Sequence, residues 1–182
     1  MENVETTLEQ KEIYRGKIIT VHVDRIRQSS GRTADREVVE HHGGVGVLPL
    51  DDYGRVCCVR QFRYPYREQV LEVPAGKLEE GEEPLTCAVR ELSEETGFSA
   101  ESFVYLGQLY PSPGYCSEIL HLYLATGLRA GSAHPDEGEE LNVEWYTLEE
   151  LLDMCMRGEI KDAKTVVAIL KTKRYLEELE KE

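Results

Sequence analysis

Apolar residues recur at helical spacing between Pro84 and Gly97, and a row of carboxylates follows another side of the same segment. The largely apolar positions share one face of a helix and comprise Leu85, Ala88, Val89, Leu92 and Thr96. Glu91, Glu94 and Glu95 are close enough in sequence for their carboxylates to be neighbours on the helix surface. Proline suits the first helical position, and glycine suits the left-handed position just past the end. The pattern therefore predicts a short amphipathic helix with acidic side chains near its C-terminal end.

This row of carboxylates is electrostatically unfavourable in an isolated helix. Like charges at such spacing repel by roughly 0.2–0.5 kcal/mol per pair, and the helix dipole presents its negative end there. Arg90 can offset part of the repulsion by pairing with Glu94. A divalent cation would offset more of it, because Mg²⁺ binds hard oxygen donors. For an arbitrary helix, a solvated acidic face on an acidic protein would be the simpler interpretation.

Two runs near the N-terminus that are rich in β-branched residues predict a β-hairpin. The first run covers residues 13–27 and the second covers residues 36–41, with a turn signal between them at residues 29–32. Residues 1–9 are polar, and we expect them to be loose. A two-stranded unit is marginally stable by itself, so we expect the N-terminal subdomain, residues 1–42, to need a surface to pack on.

Residues 43–182 alternate between strand and helix signals. Strands are predicted at residues 45–50, 55–61, 69–73, 103–108, 119–124 and 143–146. Thr147 and Glu150 form a capping-box signature for a helix that stops near Gly158, and another helix is predicted from Ala163 onwards. Strands interleaved with helices indicate an α/β sandwich.

Composition narrows the classes of partner and the compartment. The chain has 182 residues and a net charge of −14, which argues against binding nucleic acid, because duplex binding requires many cationic contacts to phosphates. No apolar run approaches the roughly 20 residues of a membrane span, and the acidic N-terminus lacks the features of a signal peptide. The five cysteines are irregularly spaced and predict neither a disulfide framework nor a zinc site. We therefore expect a cytoplasmic protein.

The segment from Gly76 to Phe98 carries the signature Gly-x5-Glu-x7-Arg-Glu-Leu-x-Glu-Glu-x-Gly-Phe. It resembles the Nudix box at every defining position. For the two glycines, four glutamates and one arginine, seven fixed residues, chance agreement is on the order of one in a million per starting point. The resemblance implies a Nudix-type α/β/α sandwich with a mixed sheet. It also implies hydrolysis of a nucleoside diphosphate linked to another group, with Mg²⁺, or Mn²⁺ as a substitute, held by the box helix.

A second resemblance lies outside the box and concerns the substrate. Ser112-Pro113-Gly114, followed by Glu118, is similar to the marker loop of ADP-ribose pyrophosphatases. Further segments look like the bacterial dimeric members of that group: Tyr14-Arg15-Gly16, Arg36-Glu37, Gln61-Phe62-Arg63, Glu72-Val73-Pro74-Ala75-Gly76, Asp136-Glu137-Gly138-Glu139 and Asp162-Ala163-Lys164-Thr165. The likeness covers roughly residues 12–175. It implies a homodimer that hydrolyses ADP-ribose to AMP and ribose 5-phosphate.

The resemblance also implies which residues bind metal. The ligands would be the carboxylates of Glu91, Glu94 and Glu95 together with the backbone carbonyl of Ala75. Glu139 would join them when the acidic loop, residues 129–140, closes over the substrate. Such oxygen donors are typical of magnesium sites.

Catalytic and substrate-binding roles follow from the same resemblance. Glu137 would be the general base that takes a proton from the attacking water, although Asp136, Glu139 and Glu140 lie on the same acidic loop. Arg90 belongs to the catalytic group of the box helix. Arg63 would hold a phosphate, since a guanidinium can donate two parallel hydrogen bonds to phosphate oxygens. Without the box, a surface charge at a strand end would be the simpler interpretation of Arg63.

The nucleoside and the terminal ribose would be bound by residues from two other segments. Tyr14 would stack on the adenine, and Arg36 would contact the substrate from the hairpin. Pro113 and Glu118 belong to the marker loop, where Glu118 would face the terminal ribose.

Two alternatives to ADP-ribose hydrolysis remain open on the sequence. The first keeps the reaction and changes the substrate to another nucleoside diphosphate sugar, such as GDP-mannose or ADP-glucose. The second is a non-catalytic protein with the same fold that senses ADP-ribose. The carboxylates of Glu91, Glu94 and Glu95 argue against a sensor, because a binding module has no need of a metal cluster.

Overall fold

The computed structural model describes residues 3–134 and 140–181 and divides the chain into two compact units. The first unit contains Met1–Gly43 and Tyr110–Ile119, and the second contains Gly44–Leu109 and Leu120–Glu182. Within the described ranges, no helix is long and apolar enough to cross a membrane.

The first unit is built on a three-stranded antiparallel sheet. Its strands are β1 (Glu5–Arg15), β2 (Ile19–Gln28) and β3 (Thr33–His41), and β2 lies in the centre. The expectations of a two-stranded hairpin and of a loose segment over residues 1–9 were wrong, because β1 begins at Glu5. All 11 residues of β1 are exposed, so the strand lacks the alternation of buried and exposed positions that reveals a strand in a sequence.

The segment 110–119 extends this sheet beside β3. The backbone N–H of Val39 donates to the carbonyl of Tyr115 at 2.8 Å, and that of Ser117 donates to the carbonyl of Val39 at 2.9 Å. A turn closed by hydrogen bonds to the carbonyl of Ser112 contains Pro113. The loop that carries the marker residues is therefore fixed to β3 by its backbone.

Among the residues that the structure describes, the second unit contains two sheets and three helices. Its strands are β4 (Gly44–Pro49), β5 (Arg55–Arg63), β6 (Glu68–Glu72), β7 (Ala75–Lys77), β8 (Phe98–Leu109), β9 (Leu120–Ala130) and β10 (Asn142–Thr147). Its helices are α1 (Pro84–Thr96), α2 (Leu148–Met156) and α3 (Ala163–Leu179). One sheet has the order β7-β4-β9-β8, with β4 parallel to β9 and the other pairs antiparallel, and the other sheet has the antiparallel order β10-β5-β6.

The mixed sheet has a buried apolar cluster on each face, since alternate residues of a strand point to opposite sides. On one side, Val45 and Val47 of β4 pack with Ala88 and Leu92 of α1. On the other side, Leu48 belongs to a larger cluster with side chains of β9, α2 and α3, including Leu124, Leu151 and Ile169. The predicted α/β sandwich with a mixed sheet is confirmed.

The local signals for helix ends were accurate. Helix α1 begins at Pro84, and Gly97 follows it with a φ of 74°, donating its N–H to the carbonyl of Ser93. Thr147 and Glu150 form the predicted capping box of α2. The prediction of the buried face of α1 was only partly correct. Leu85 and Val89 are nearly half exposed, while Cys87 and Glu95 are buried. The reason is that the sheet covers the side of the helix centred on Ala88 and Leu92.

Candidate active site

Arg90 ties the carboxylates of the box together. Its Nη1 donates to Glu91 at 2.7 Å and to Glu94 at 2.8 Å, whereas its Nε and Nη2 each donate to Glu82 at 3.0 Å. Nη2 also donates to the carbonyl of Lys77 at 3.3 Å. These hydrogen bonds raise the pKa of Arg90 and hold the pKa of Glu82 at about 2. The repulsion expected among the carboxylates is thus partly offset by one guanidinium.

Two carboxylates of α1 reach the short strand β7. The backbone N–H of Ala75 donates to Oε2 of Glu95 at 3.0 Å, and Glu95 is buried at 4% exposure. The carboxylate of Glu91 lies over Gly76, where a Cβ atom would overlap it. Glycine at this position therefore lets the carboxylate approach the main chain of β7. The structure brings together Ala75, Glu91 and Glu95, while Glu94 is held beside them by Arg90.

This set of oxygen donors suits a hard divalent cation, because it consists of carboxylate oxygens that lie beside the main chain of β7. In residues 3–134 and 140–181, no three acidic, histidine or cysteine side chains are already gathered closely enough to form a metal cluster. Arg90 bonds to one oxygen of each carboxylate, Oε1 of Glu91 and Oε2 of Glu94, and a carboxylate has two oxygens that can accept. Glu137 and Glu139, predicted as base and metal ligand, lie outside the described residues.

The chain leading to those two residues is fixed to the end of α1. The N–H of Gly131 donates to the carbonyl of Gly97 at 2.7 Å, and the N–H of His134 donates to the carbonyl of Glu94 at 3.0 Å. A Cβ on Gly97 would come within 2.7 Å of the backbone nitrogen of Ala133. Gly97 thus ends the helix and also gives space to this segment, so the acidic loop begins beside the box carboxylates.

Arg63 lies at the end of β5 in an ion pair with Glu72 of β6. Its Nε and Nη2 donate to the two carboxylate oxygens of Glu72 at 2.5 and 2.6 Å. The hydrogen bonds to Glu72 raise the pKa of Arg63, and the charges of Asp162 and Glu95 add to this effect. The guanidinium of Arg63 therefore lies close enough to interact electrostatically with Glu95 of the box.

Sequence reasoning missed the third member of this group. Lys164, in the first turn of α3, donates to Oε2 of Glu72 and lies 3.1 Å from Asp162. Burial alone would raise the pKa of Glu72, but the hydrogen bonds from Arg63 and the charge of Lys164 hold it below its usual value. The segment Asp162-Ala163-Lys164-Thr165 was a sequence signal, but it was not assigned a role.

The residues predicted to bind the nucleoside and ribose all lie in the first unit. Arg36 donates to both carboxylate oxygens of Glu5, at 3.0 and 2.5 Å, and this pairing raises its pKa. Tyr14 is exposed, with its ring over Gly16. Glu118 lies in the segment beside β3, with Oε1 3.6 Å from Nδ1 of His41, which is longer than a hydrogen bond.

Comparisons with known proteins find similarity along most of the chain. Residues 40–168 match the model of the NUDIX domain, and residues 5–39 match that of the nucleoside diphosphate sugar hydrolase N-terminal domain. An ADP-ribose pyrophosphatase of Bacillus subtilis is 41% identical over 91% of this chain and 90% of its own length. A methanol dehydrogenase activator of Bacillus methanolicus is 38% identical over the same shares of both chains. A crystal structure described as an ADP compounds hydrolase has the same fold, with a TM-score of 0.85 and 24% identity over 96% of this chain and 95% of its own.

Proposed function

Because the chain belongs to the Nudix family, we propose that it hydrolyses the diphosphate bond of ADP-ribose and releases AMP and ribose 5-phosphate. The observation that carries this proposal is the convergence of Glu91 and Glu95 from α1 on the main chain of β7. The choice of ADP-ribose rests on the 41% identity to the pyrophosphatase of Bacillus subtilis.

The metal in this proposal is Mg²⁺, with Mn²⁺ as a substitute. Glu91, Glu94, Glu95 and the carbonyl of Ala75 would hold it, and Glu139 would complete the site. A bound cation would neutralise part of the charge of the diphosphate and lower the pKa of a water molecule.

The chain itself supplies orientation and proton transfer. Arg63 binds a phosphate through donors that Glu72 leaves available, and Arg90 orients the carboxylates of Glu91 and Glu94. Glu137 accepts the proton of the water whose oxygen bonds to phosphorus as the bridging P–O bond breaks. The backbone anchors of Gly131 and His134 support this role, since they start the acidic loop beside the end of α1.

The first unit supplies recognition of the rest of the substrate. Tyr14 would stack on the adenine, and Arg36 would contact the substrate from the hairpin. In the marker loop that contains Pro113, Glu118 would face the terminal ribose. We further propose a cytoplasmic homodimer in which the three-stranded sheet of residues 5–41 packs against the other subunit. Exposed apolar side chains support the pairing: Leu8 and Ile13 lie in β1, and Ile18 lies in the turn that follows it.

A different nucleoside diphosphate sugar is the second candidate for the substrate. The observation that favours it is the match of residues 5–39 to a domain described more broadly, as that of nucleoside diphosphate sugar hydrolases. GDP-mannose and ADP-glucose are the members to test, because they differ from ADP-ribose in the base and in the sugar, respectively.

A substrate panel tests the proposal. ADP-ribose, ADP-glucose and GDP-mannose are each incubated with the protein and Mg²⁺, and a phosphatase that acts only on the products releases phosphate for detection. We expect the highest kcat/KM with ADP-ribose and almost no turnover by the Glu95→Gln variant. A higher kcat/KM with GDP-mannose or ADP-glucose would mean that this compound, and not ADP-ribose, is the substrate. Tight binding of ADP-ribose without turnover of any compound would identify a sensor.

A further inference from the structure

We propose that Glu72 and Lys164 are positioning residues for Arg63, which they hold ready to bind a substrate phosphate. This inference rests on the proposed function, in which a diphosphate is bound beside the box helix. It assigns a role in substrate binding to the first turn of α3, which is far from the box in sequence.

The three side chains form a graded cluster that leads from the interior to the surface. Glu72 is 1% exposed and the side chain of Lys164 is 8% exposed, whereas that of Arg63 is 39% exposed. A buried carboxylate must be compensated by partners that are themselves held in place. Glu72 therefore serves as a fixed anchor, to which Arg63 is attached from the solvent side.

The attachment leaves part of the guanidinium available. An arginine has five N–H donors, and Glu72 takes one from Nε and one from Nη2 of Arg63. In the described part of the chain, Nη1 of Arg63 makes no hydrogen bond. Because the two bonds to Glu72 fix the plane of the guanidinium, they also fix the direction of Nη1, which can meet phosphate oxygens without a further loss of side-chain freedom.

Lys164 determines how much of the negative charge of Glu72 must be neutralised by Arg63. It donates to Oε2 of Glu72, the oxygen that also accepts from Nη2 of Arg63. If Lys164 were neutral, Arg63 would have to compensate the entire charge of the buried carboxylate. The guanidinium would then be more fully neutralised by Glu72, and it would attract a phosphate at Nη1 less strongly. The ammonium shares this compensation, and Asp162, 3.1 Å from it, helps to hold it in place.

A purely structural role of this turn is the competing explanation. Thr165 accepts a hydrogen bond from the N–H of Val73 at 2.9 Å and is itself held by Asp162, so the turn also joins α3 to the strand region before β7. Loss of that contact would lower stability. It would not by itself weaken the binding of a phosphate to Arg63, and this difference makes the two roles separable.

The test measures binding of ADP, a nucleoside diphosphate, by calorimetry with Mg²⁺, alongside kcat and KM for ADP-ribose. The main variant is Lys164→Met, and Glu72→Gln serves as a second if the first does not fold. Lys161→Met is the matched control, because it removes the same charge from an exposed lysine that pairs with Glu68 at 2.9 Å. Thr165→Val controls for loosening of the turn. Arg63→Ala, alone and combined with Lys164→Met, completes a double-mutant cycle.

We expect Lys164→Met to weaken ADP binding roughly tenfold and to raise KM in proportion, with kcat changed by less than about threefold. Lys161→Met should match the parent, and Thr165→Val should lower the melting temperature without weakening ADP binding. In the Arg63→Ala background, Lys164→Met should change ADP affinity by less than about twofold, because the group it positions is gone.

Two results would overturn the inference: unchanged ADP affinity in folded Lys164→Met, or an equal loss of affinity with and without Arg63. If the parent binds ADP and does not hydrolyse ADP-ribose, the proposed function fails, and the binding measurements still decide whether Lys164 acts through Arg63.

Discussion

The carboxylate of Glu91 occupies the space above Gly76 that any other residue would fill with its Cβ atom. Helix α1 and strand β7 are thereby in contact at the point where the box residues meet the main chain. The atom that a Cβ would displace belongs to the far end of a flexible side chain, so a substitution would move the carboxylate and leave the backbone in place.

Gly76→Ala should therefore reduce activity much more than stability. We expect kcat/KM to fall by roughly 100-fold, since misplacing a reacting group by about 1 Å can cost that much. The melting temperature should change by only a few degrees. Measurements are kcat/KM for ADP-ribose, its Mg²⁺ dependence and thermal unfolding without metal.

Gly31→Ala is the contrasting variant. Gly31 has a φ of 84° in the turn after β2, with no atom within 4 Å of a Cβ position. Alanine there should cost about 1 kcal/mol of stability through backbone strain and leave kcat unchanged. If Gly76→Ala behaved like Gly31→Ala, Glu91 would not be a group that the reaction requires at β7.

The ion pair between Glu82 and Arg90 should make stability depend on pH in a defined direction. The pKa of Glu82 is lowered from 4.5 to about 2, mainly by hydrogen bonds from Arg90. A lowered pKa stabilises the folded state above pH 4.5, and this contribution is lost as the pH falls towards 2. Glu82→Gln should thus lower the melting temperature at pH 7 by roughly 2–4 °C.

Thermal unfolding of this variant and of the parent, followed from pH 7 downwards, checks the prediction. The difference should narrow below about pH 4.5, because the parent also becomes protonated at Glu82. Glu80→Gln is the control for the change of charge, since Glu80 is exposed and makes no hydrogen bond or ion pair within the described residues. A constant difference across this range would mean that the pair with Arg90 does not stabilise the fold.

The elements that could be predicted from the sequence are those with local signals. Pro84 and Gly97 fix the ends of α1 through backbone geometry that depends on a few neighbouring residues. Strand β1 has no such signal, because every one of its side chains is exposed and its extended conformation is stabilised by backbone hydrogen bonds to β2. Register and pairing of this kind are properties of two segments together.

The candidate site shows the same limit. The box carboxylates were found from their spacing, and the resemblance indicated Arg63. The role of Lys164 could not be seen, because its partner Glu72 lies 92 residues away in sequence. Glu72 follows the apolar pair Val70-Leu71 and precedes Val73, so its burial would call for a cationic partner, but the sequence does not identify which one.

The proposed homodimer leads to a prediction about the first unit. Leu8 and Ile13 of β1 are 44% and 56% exposed, although both are large apolar residues. If the other subunit covers them, Leu8→Lys combined with Ile13→Lys should place charges in the interface and produce a monomer. Sedimentation at micromolar concentration is the measurement. Leu179→Lys, which changes a residue of similar exposure at the end of α3, should remain a dimer. A monomeric parent would refute the proposal.

Replacing the two glutamates of the acidic loop, Glu137 and Glu139, should impair catalysis in different ways. Glu137→Gln removes the proposed base, so kcat should fall by roughly 10²–10⁴-fold with KM nearly unchanged. Glu139→Gln removes a proposed metal ligand, so its loss of activity should be partly recovered at high Mg²⁺ concentration. Added Mg²⁺ should do little for Glu137→Gln, because the missing step is proton removal.

A titration of kcat with Mg²⁺ for both variants and the parent, with ADP-ribose as substrate, separates the two roles. Rescue of Glu137→Gln and not of Glu139→Gln would reverse them. If neither variant lost activity, the base would have to be sought elsewhere. Glu140 lies on the same loop, and Glu118 lies in the segment held beside β3. Either would then be tested by the same titration, because the loss of a base should give a large loss of kcat with an unchanged requirement for metal.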